Sequence, residues 1–477
     1  MKILMVSYEV YPLAKVGGLA DVVGSLPEYL VKQGVEVQIA MPYHQIVEKN
    51  ANHIEKTGLT VNTSELKSNY TFEVYKTTLN KGNIPVFLLK NDELIDSDDV
   101  YGGSDLGVQA LAFSDAVFQL SKILKPDIVH CNDWQTGLIP AFIKTFFGDA
   151  IPKTLITIHN LGYQGTFDKY YFELTKLPGY YWERGYLSTG DMLNFLKAGI
   201  VFSDFVSTVS PTYAEEIKTE EYGMGLNDLL SKLGDRLVGI INGIDYTEYN
   251  PETDKRIAAT FSIDDLSGKK SCKLALQKEL GLPETDAPVV GLISRLVDQK
   301  GLDILAEAAE DLLAKDLQLV ILGTGEERYE NLFRSLEEKF PQKVSANICF
   351  DVNLAQKIYA GSDMFLMPSK YEPCGLGQMF AMRYGTVPVV RFTGGLKDTV
   401  KEFDFNTATG NGFGFFDYDS LELTRAVERA LDTYHSSDWI TVVKNAMKTD
   451  CSWENSAGEY IKLYKRIIQS ERRPVDA

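Results

Sequence analysis

The chain has 477 residues, 44% of them hydrophobic and 24% charged, ordinary globular values for a protein long enough to hold two or three domains. Its formal net charge of −18 argues against a nucleic-acid or anionic-membrane partner, since both require a basic footprint, and no apolar run reaches the length of a membrane span. The five cysteines, Cys131, Cys272, Cys349, Cys374 and Cys451, lie far apart and suit reduced thiols; neither they nor the five dispersed histidines form a metal-ligand pattern.

The start, MKILMVSYEVYPLA, carries one lysine and an apolar run broken by Ser7 and Glu9. It is a poor secretion signal, so the cytoplasm is the expected compartment. Ile3 to Val6 reads as a buried strand, and KVGGLADVVGSLPEYL, Lys15 to Leu30, then opens a helical pattern after two glycines. Glycines allow close backbone approach, and a helix N-terminus attracts an anion, so Lys15, Gly17 and Gly18 form a candidate phosphate site. A P-loop places its lysine after the glycines and a dinucleotide turn reads G-x-G-x-x-G; this stretch is neither, and a plain strand-to-helix turn remains an alternative.

Further short apolar runs follow at Val35 to Ile39, Val86 to Leu89, Ile128 to His130, Leu155 to Ile158, Phe205 to Val209 and Leu237 to Ile241, with helical patterns such as Gln109 to Leu124 between them. Alternating strands and helices predict a doubly wound α/β domain with a parallel sheet. DSDD at Asp96 to Asp99 contains a D-x-D pattern able to hold a divalent metal, but its acidic surroundings read better as a solvated loop.

After a polar stretch from Asp245 the scheme restarts at PVVGLISR, Pro288 to Arg295. Strands are expected at Leu317 to Leu322, Asn347 to Phe350, Met364 to Met367 and Val387 to Val390, with a helix at Gly301 to Leu313. SAGEYIKLYKRIIQ then aligns Tyr460, Leu463, Tyr464 and Ile467 on one helical face, which could cross back onto the first domain.

Ligands of open parallel sheets bind beyond the carboxyl ends of strands. The polar residues just past these runs are His130 and Asp133, His159 and Asn160, Ser210, Asn242, Arg295, Gly323, Ser369 and Glu372, and Thr393 to Gly395. If the two domains face each other, these loops line one cleft, where Lys15, Arg295 and Lys300 would hold a diphosphate with backbone N–H groups at Gly17, Gly18 and Thr393, Gly394 and Gly395. Pro373 and Gly375 fix a turn that presents Glu372, whose oxygens can accept from sugar hydroxyls; a solvated loop glutamate is the alternative. Cys374 has no adjacent base and reads as a packed thiol. Asp133 could instead cap the next helix, and Trp134 could be core. The GTG at Gly323 to Gly325 lacks the third dinucleotide glycine and is expected to give close backbone approach to a nucleotide.

KVGGLADVV, HCNDWQTGL, IHNLGYQG, INGID, SRLVDQKG, SKYEPCGLGQ and RFTGGLKDTV, in that order, closely resemble the bacterial glycogen synthases and plant starch synthases over nearly the whole chain. The resemblance implies a GT-B fold, two doubly wound Rossmann-like domains at 1–243, completed by a helix at 456–477, and at 244–455. It implies a retaining transfer of glucose from ADP-glucose to the non-reducing 4-hydroxyl end of an α-1,4-glucan, needing neither metal nor pyridoxal phosphate. His159, Arg295, Lys300 and Glu372 would be catalytic. Lys15, Gly18, Asp133, Asn160, Asn242, Cys374, Gly375, Leu376, Thr393, Gly394 and Gly395 would bind substrate. Phe380 departs from the wider GT-B pattern, which has a second glutamate eight residues after the first. Alternatives are another retaining GT-B transferase using UDP-glucose or a small sugar acceptor, a noncatalytic glucan-binding protein, a glucan phosphorylase and, more distantly, a dehydrogenase.

Overall fold

Strand β1 (Lys2–Val6) buries Ile3, Leu4, Met5 and Val6 completely, as expected of a strand covered on both faces of its sheet. The structure, a computed structural model, describes residues 1–79, 83–148 and 151–472. The chain divides into two units, Met1–Gly243 with Trp453–Ala477, and Ile244–Ser452.

The first unit continues with β2 (Glu36–Pro42), β3 (Glu55–Asn62), β4 (Thr71–Leu79), β5 (Ile84–Lys90), β6 (Ile128–Asn132), β7 (Lys153–Ile158), β8 (Thr166–Asp168), β9 (Ser188–Thr189), β10 (Met192–Asn194), β11 (Phe205–Thr208) and β12 (Leu237–Gly239). Its main sheet runs β12-β11-β7-β6-β1-β2-β5-β4-β3, and β8-β10-β9 form a small sheet apart. The expected parallel sheet runs from β12 through β5, and beyond β5 the sheet turns antiparallel. β3, β4 and β5 pair antiparallel, because the connection from Leu79 to Ile84 is too short for the crossover that parallel neighbours require. β3 and β4 also lack a continuous apolar run: β4 buries Phe72 and Val74 in alternation with more accessible neighbours, the mark of a half-covered strand.

The last helix runs Trp453–Gln469. Tyr460, Leu463, Tyr464 and Ile467 are buried in the same cluster as Ile3, Val22 and Leu26 of the first unit. It begins before residue 456 because Trp453 is itself buried there; residues 473–477 of the predicted segment lie outside the described residues. His130 does not sit at the ligand edge. It lies inside β6, with Nδ1 2.8 Å from the Tyr464 hydroxyl and Nε2 2.6 Å from Thr157 Oγ1, a strut between sheet and helix.

The second unit contains β13 (Val289–Ile293), β14 (Gln318–Leu322), β15 (Val344–Asn347), β16 (Met364–Met367), β17 (Val387–Arg391) and β18 (Phe413–Phe415), ordered β15-β14-β13-β16-β17-β18. Every pairing is parallel. The helix Leu302–Leu313 packs Leu302, Leu305, Ala309 and Leu312 into its core. One strand falls earlier than the apolar run NICF suggests: β15 ends at Asn347, whose Nδ2 donates to the Ile321 carbonyl at 3.1 Å, and Phe350 beyond it is 84% exposed. No helix among the described residues is long and apolar enough to cross a membrane.

Candidate functional site

In the first unit the chain leaves β1 and reaches the helix Gly18–Lys32 through the predicted glycine turn. An anion does occupy the N–H groups there, but the protein supplies it. The buried Glu9 carboxylate accepts from the Val16 N–H at 2.6 Å and the Gly17 N–H at 2.7 Å through Oε2, while the Tyr101 hydroxyl donates to Oε1. Gly17 is therefore not an open phosphate donor. Lys15 lies beside this turn with Nζ 2.7 Å from Asp21 Oδ1, and burial raises the Asp21 pKa while the Lys15 charge lowers it. Glu9 and Asp21 escape sequence reasoning; the only signal was an acid inside an apolar stretch and another in the first helical turn.

Asp133, His159 and Asn160 meet at the ends of β6 and β7. Asp133 Oδ1 accepts the His159 N–H at 2.7 Å. The predicted helix-capping alternative fails, since Asp133 makes no side-chain cap bond. Its φ of 55° is rare for a residue with a Cβ, a strain typical of functional positions. Burial pushes its carboxyl up to about 7, the His159 and Asn160 backbone groups oppose that shift, and the Glu9 charge adds to it. His159 is held neutral, its pKa pushed down to about 3 by burial. Asn132 Nδ2 donates to the Val6 carbonyl at 3.0 Å, so its Oδ1 faces His159 Nε2 at 2.9 Å. That places the imidazole proton on Nε2 and leaves Nδ1 as an acceptor. The Asn160 Oδ1 accepts from Gly162 N–H at 3.0 Å. Asn242 is buried with an Oδ1 that has no hydrogen-bond partner among the described residues. Trp134 is buried, and a Cβ on Gly165 would strike its ring, so it belongs to the core.

In the second unit, Arg295, Lys300, Glu372, Gly375 and Leu376 line a cavity of about 240 Å³ at the carboxyl ends of β13 and β16. Lys300 Nζ lies 2.6 Å from Glu372 Oε2, which also accepts from Ser369 Oγ at 3.0 Å. Glu372 is thus an ordered, buried carboxylate and not a solvated loop residue. Ser369 stood at the strand end in the sequence, yet nothing there paired it with Glu372. Cys374 is buried beneath Gly395. Phe380 lines the cavity floor and stacks on Tyr249, with ring centroids 3.9 Å apart.

The glycines of this unit need a different account from the sequence reading. A Cβ on Gly323 would strike the Ser294 carbonyl oxygen, and one on Gly325 the Leu296 carbonyl oxygen. The close approach is to the Arg295 loop. Likewise a Cβ on Gly394, which has a φ of 45°, would strike the Glu372 carbonyl oxygen, and one on Gly395 that of Cys374. The Gly395 N–H donates to the Glu372 carbonyl at 3.1 Å and the Thr393 N–H to that of Arg391 at 2.9 Å, so both are used inside the protein. In the DSDD segment, Asp96 accepts from the Ser104 N–H at 3.3 Å and Ser97 Oγ from the Asp99 N–H at 3.1 Å. Among the described residues, no group of three or more His, Cys, Asp or Glu is placed to hold a metal ion.

Residues 2–232 match the family described as Starch synthase catalytic domain, and residues 275–442 that described as Glycosyl transferases group 1. The glycogen synthase of Kosmotoga olearia is 63% identical over 478 residues, covering 100% of each chain. That of Thermotoga maritima is 53% identical over 481 residues, covering 98% of this chain and 99% of the other. Among solved structures, the catalytic domain of starch synthase IV from Arabidopsis thaliana, bound to ADP and acarbose, matches with a TM-score of 0.90 at 34% identity, over 98% of this chain and 99% of that one. Sucrose-phosphate synthase from Thermosynechococcus elongatus matches with a TM-score of 0.63 at 18% identity, over 98% and 100%, a likeness of fold alone. Ordered motifs, strand-end placement of the polar residues and full-length identity converge on a two-domain α/β glycosyltransferase of the GT-B type, and the chain belongs to the family of bacterial glycogen synthases and plant starch synthases.

Proposed function

We propose that the protein transfers glucose from ADP-glucose to the non-reducing 4-hydroxyl end of an α-1,4-glucan with retention of configuration. One observation carries the reading: Lys300 and Glu372 are paired at 2.6 Å in a cavity that Arg295 also lines. Cleaving the bond from the anomeric carbon to phosphate builds negative charge on the diphosphate. Arg295 and Lys300 are cations placed to meet it, and such preorganised donors act where charge develops. The buried Glu372 accepts hydrogen bonds from glucosyl hydroxyls. Arg295 and Lys300 supply the charge that a metal would otherwise bring, and the reading calls for no pyridoxal phosphate. The bound ADP and acarbose of the Arabidopsis enzyme support a nucleotide donor and an oligosaccharide acceptor.

In the first unit, His159 presents a neutral ring and Asp133 orients its backbone N–H, so this corner contributes hydrogen bonds and no cation. Lys15 and Gly18 serve substrate binding from this unit, and Asn242 offers to a sugar hydroxyl an oxygen that has no partner among the described residues. With no protein carboxylate assigned as nucleophile, the departing phosphate takes the proton of the attacking 4-hydroxyl on the same face of the sugar.

The test supplies ADP-glucose and UDP-glucose separately with a glucan primer and follows nucleotide release and glucose incorporation. ADP release matched by chain growth, with product digested by an exo-acting α-1,4-glucanase, is expected. Glucan binding without nucleotide release refutes the reading, and preferred use of UDP-glucose moves the assignment to the alternative donor.

A further inference from the structure

The loop carrying Glu372 spans from the end of β16 at Met367 toward residues packed on β17, and its backbone is tied down on both flanks. Before the glutamate, Arg391 at the end of β17 donates from Nη1 to the Lys370 carbonyl at 2.6 Å and from Nε to the Phe416 carbonyl at 2.9 Å. The Lys370 N–H donates to the Gln299 carbonyl at 2.9 Å, and Gln299 Nε2 to that of Tyr371 at 3.3 Å. After it, the Gly395 N–H holds the Glu372 carbonyl. The Arg391 guanidinium lies 5.4 Å from the centre of the Tyr418 ring, and the residue is only 9% exposed.

A buried guanidinium is expensive to desolvate, and a rigid fork with several donors is suited to fixing two acceptors at a set separation. Here the acceptors are backbone carbonyls of two segments that the chain does not otherwise join: the end of β18 and the residue two before Glu372. Arg391 is not among the residues lining the cavity. We infer that Arg391 is a positioning residue for glucosyl transfer: by tying the Lys370 carbonyl to the end of β18 it fixes where the Glu372 carboxylate, and the Lys300 ammonium bonded to it, stand in the cavity. The inference rests on the reading that these two groups act on the donor.

The experiment uses the full chain with Arg391→Ala, Arg391→Lys and wild type, measuring kcat, KM for ADP-glucose, ADP affinity by calorimetry and the melting temperature. A displacement of Glu372 by about 1 Å should lower kcat by about 10- to 100-fold in Arg391→Ala, with ADP affinity nearly unchanged. Millimolar guanidinium should restore part of that loss, while Lys300→Ala gains nothing from it. Arg391→Lys should keep the melting temperature and remain slow, since an ammonium lacks the planar fork whose Nε and Nη1 meet the two carbonyls separately. Unchanged kcat in Arg391→Ala overturns the inference, as does a parallel fall of kcat, ADP affinity and melting temperature without response to guanidinium. A wild type that fails to use ADP-glucose overturns the functional reading together with this one, whereas an active wild type with an insensitive Arg391→Ala overturns only the role of Arg391.

Discussion

Breaking the Lys300–Glu372 pair should destabilise the second unit before any substrate is added. The two side chains are 17% and 8% exposed and meet at 2.6 Å. In Lys300→Met the carboxylate keeps, among the described residues, the Ser369 hydroxyl as its side-chain partner. Removing one member of a buried pair typically costs about 3–5 kcal/mol. The adjoining cavity, about 240 Å³, admits water that can solvate the orphaned charge, which discounts the loss below that range to about 2–3 kcal/mol. For a domain of this size that is a fall of about 4–12 °C in melting temperature. Glu372→Gln should cost a similar amount by orphaning the ammonium. The double variant Lys300→Met/Glu372→Gln, with no charge left, should recover at least about 1 kcal/mol relative to the sum of the singles. Calorimetric scans of the ligand-free protein measure all four corners of this cycle, and ADP release measured alongside should stay low in the double variant. Additive losses, or singles that melt like wild type, would show that the pair does not form in the free protein.

Gly323→Ala places a methyl group against the Ser294 carbonyl oxygen, so the Arg295 loop must shift; a loss of about 2 kcal/mol in urea unfolding is expected, with weaker ADP binding in calorimetry. Glu9→Gln keeps the side-chain shape but replaces a charged acceptor for the Val16 and Gly17 N–H groups by a neutral one. It should cost about 1–2 kcal/mol and lower kcat/KM, and wild-type values in both assays would remove Glu9 from the turn. Burial holds the His44 and His130 pKa values down to about 4 and about 3, whereas the unfolded chain takes up these protons near pH 6.5. Their contribution is therefore complete above that pH and is lost as the pH falls below it, by about 2.7 kcal/mol per pH unit for the two together. His130→Gln should lower the acid slope by about 1.4 kcal/mol per pH unit in chemical unfolding followed from pH 7 to pH 5.

The parallel strands were legible because burial on both faces leaves an uninterrupted apolar signature, and the polar residues at their ends followed from it. β16, MFLM, coincides with its predicted span. β3 and β4 were not legible, because a strand covered on one face alternates and a short one resembles a loop. Within the site, Glu372 and Lys300 stood out by motif, but their direct bond did not, since 72 residues separate them in sequence. Glu9 was hidden for a related reason: one acid in an apolar stretch acquires its partners only when the glycine turn folds over it. The glycines announced close backbone approach without saying to what, and in Gly323, Gly325, Gly394 and Gly395 the neighbour is the protein's own chain.

That last finding changes what the glycines do for the chemistry. The order β14-β13-β16-β17 sets four carboxyl ends side by side, so the loops after Leu322, Ile293, Met367 and Arg391 must share a narrow ledge. Side chains at Gly323 and Gly394 would hold those loops apart. Without them, the Arg295 loop rests on one neighbour and the Glu372 loop on the other, each fixed by backbone contact before any ligand arrives. Lys300 then needs little reorganisation: its ammonium has three donors, and one bond to Glu372 leaves two for an incoming oxyanion. On the proposed reading, in which the carboxylate meets the sugar, a cation already anchored by it keeps its place as charge develops on the leaving group, which is the condition under which a fixed charge stabilises a transition state most.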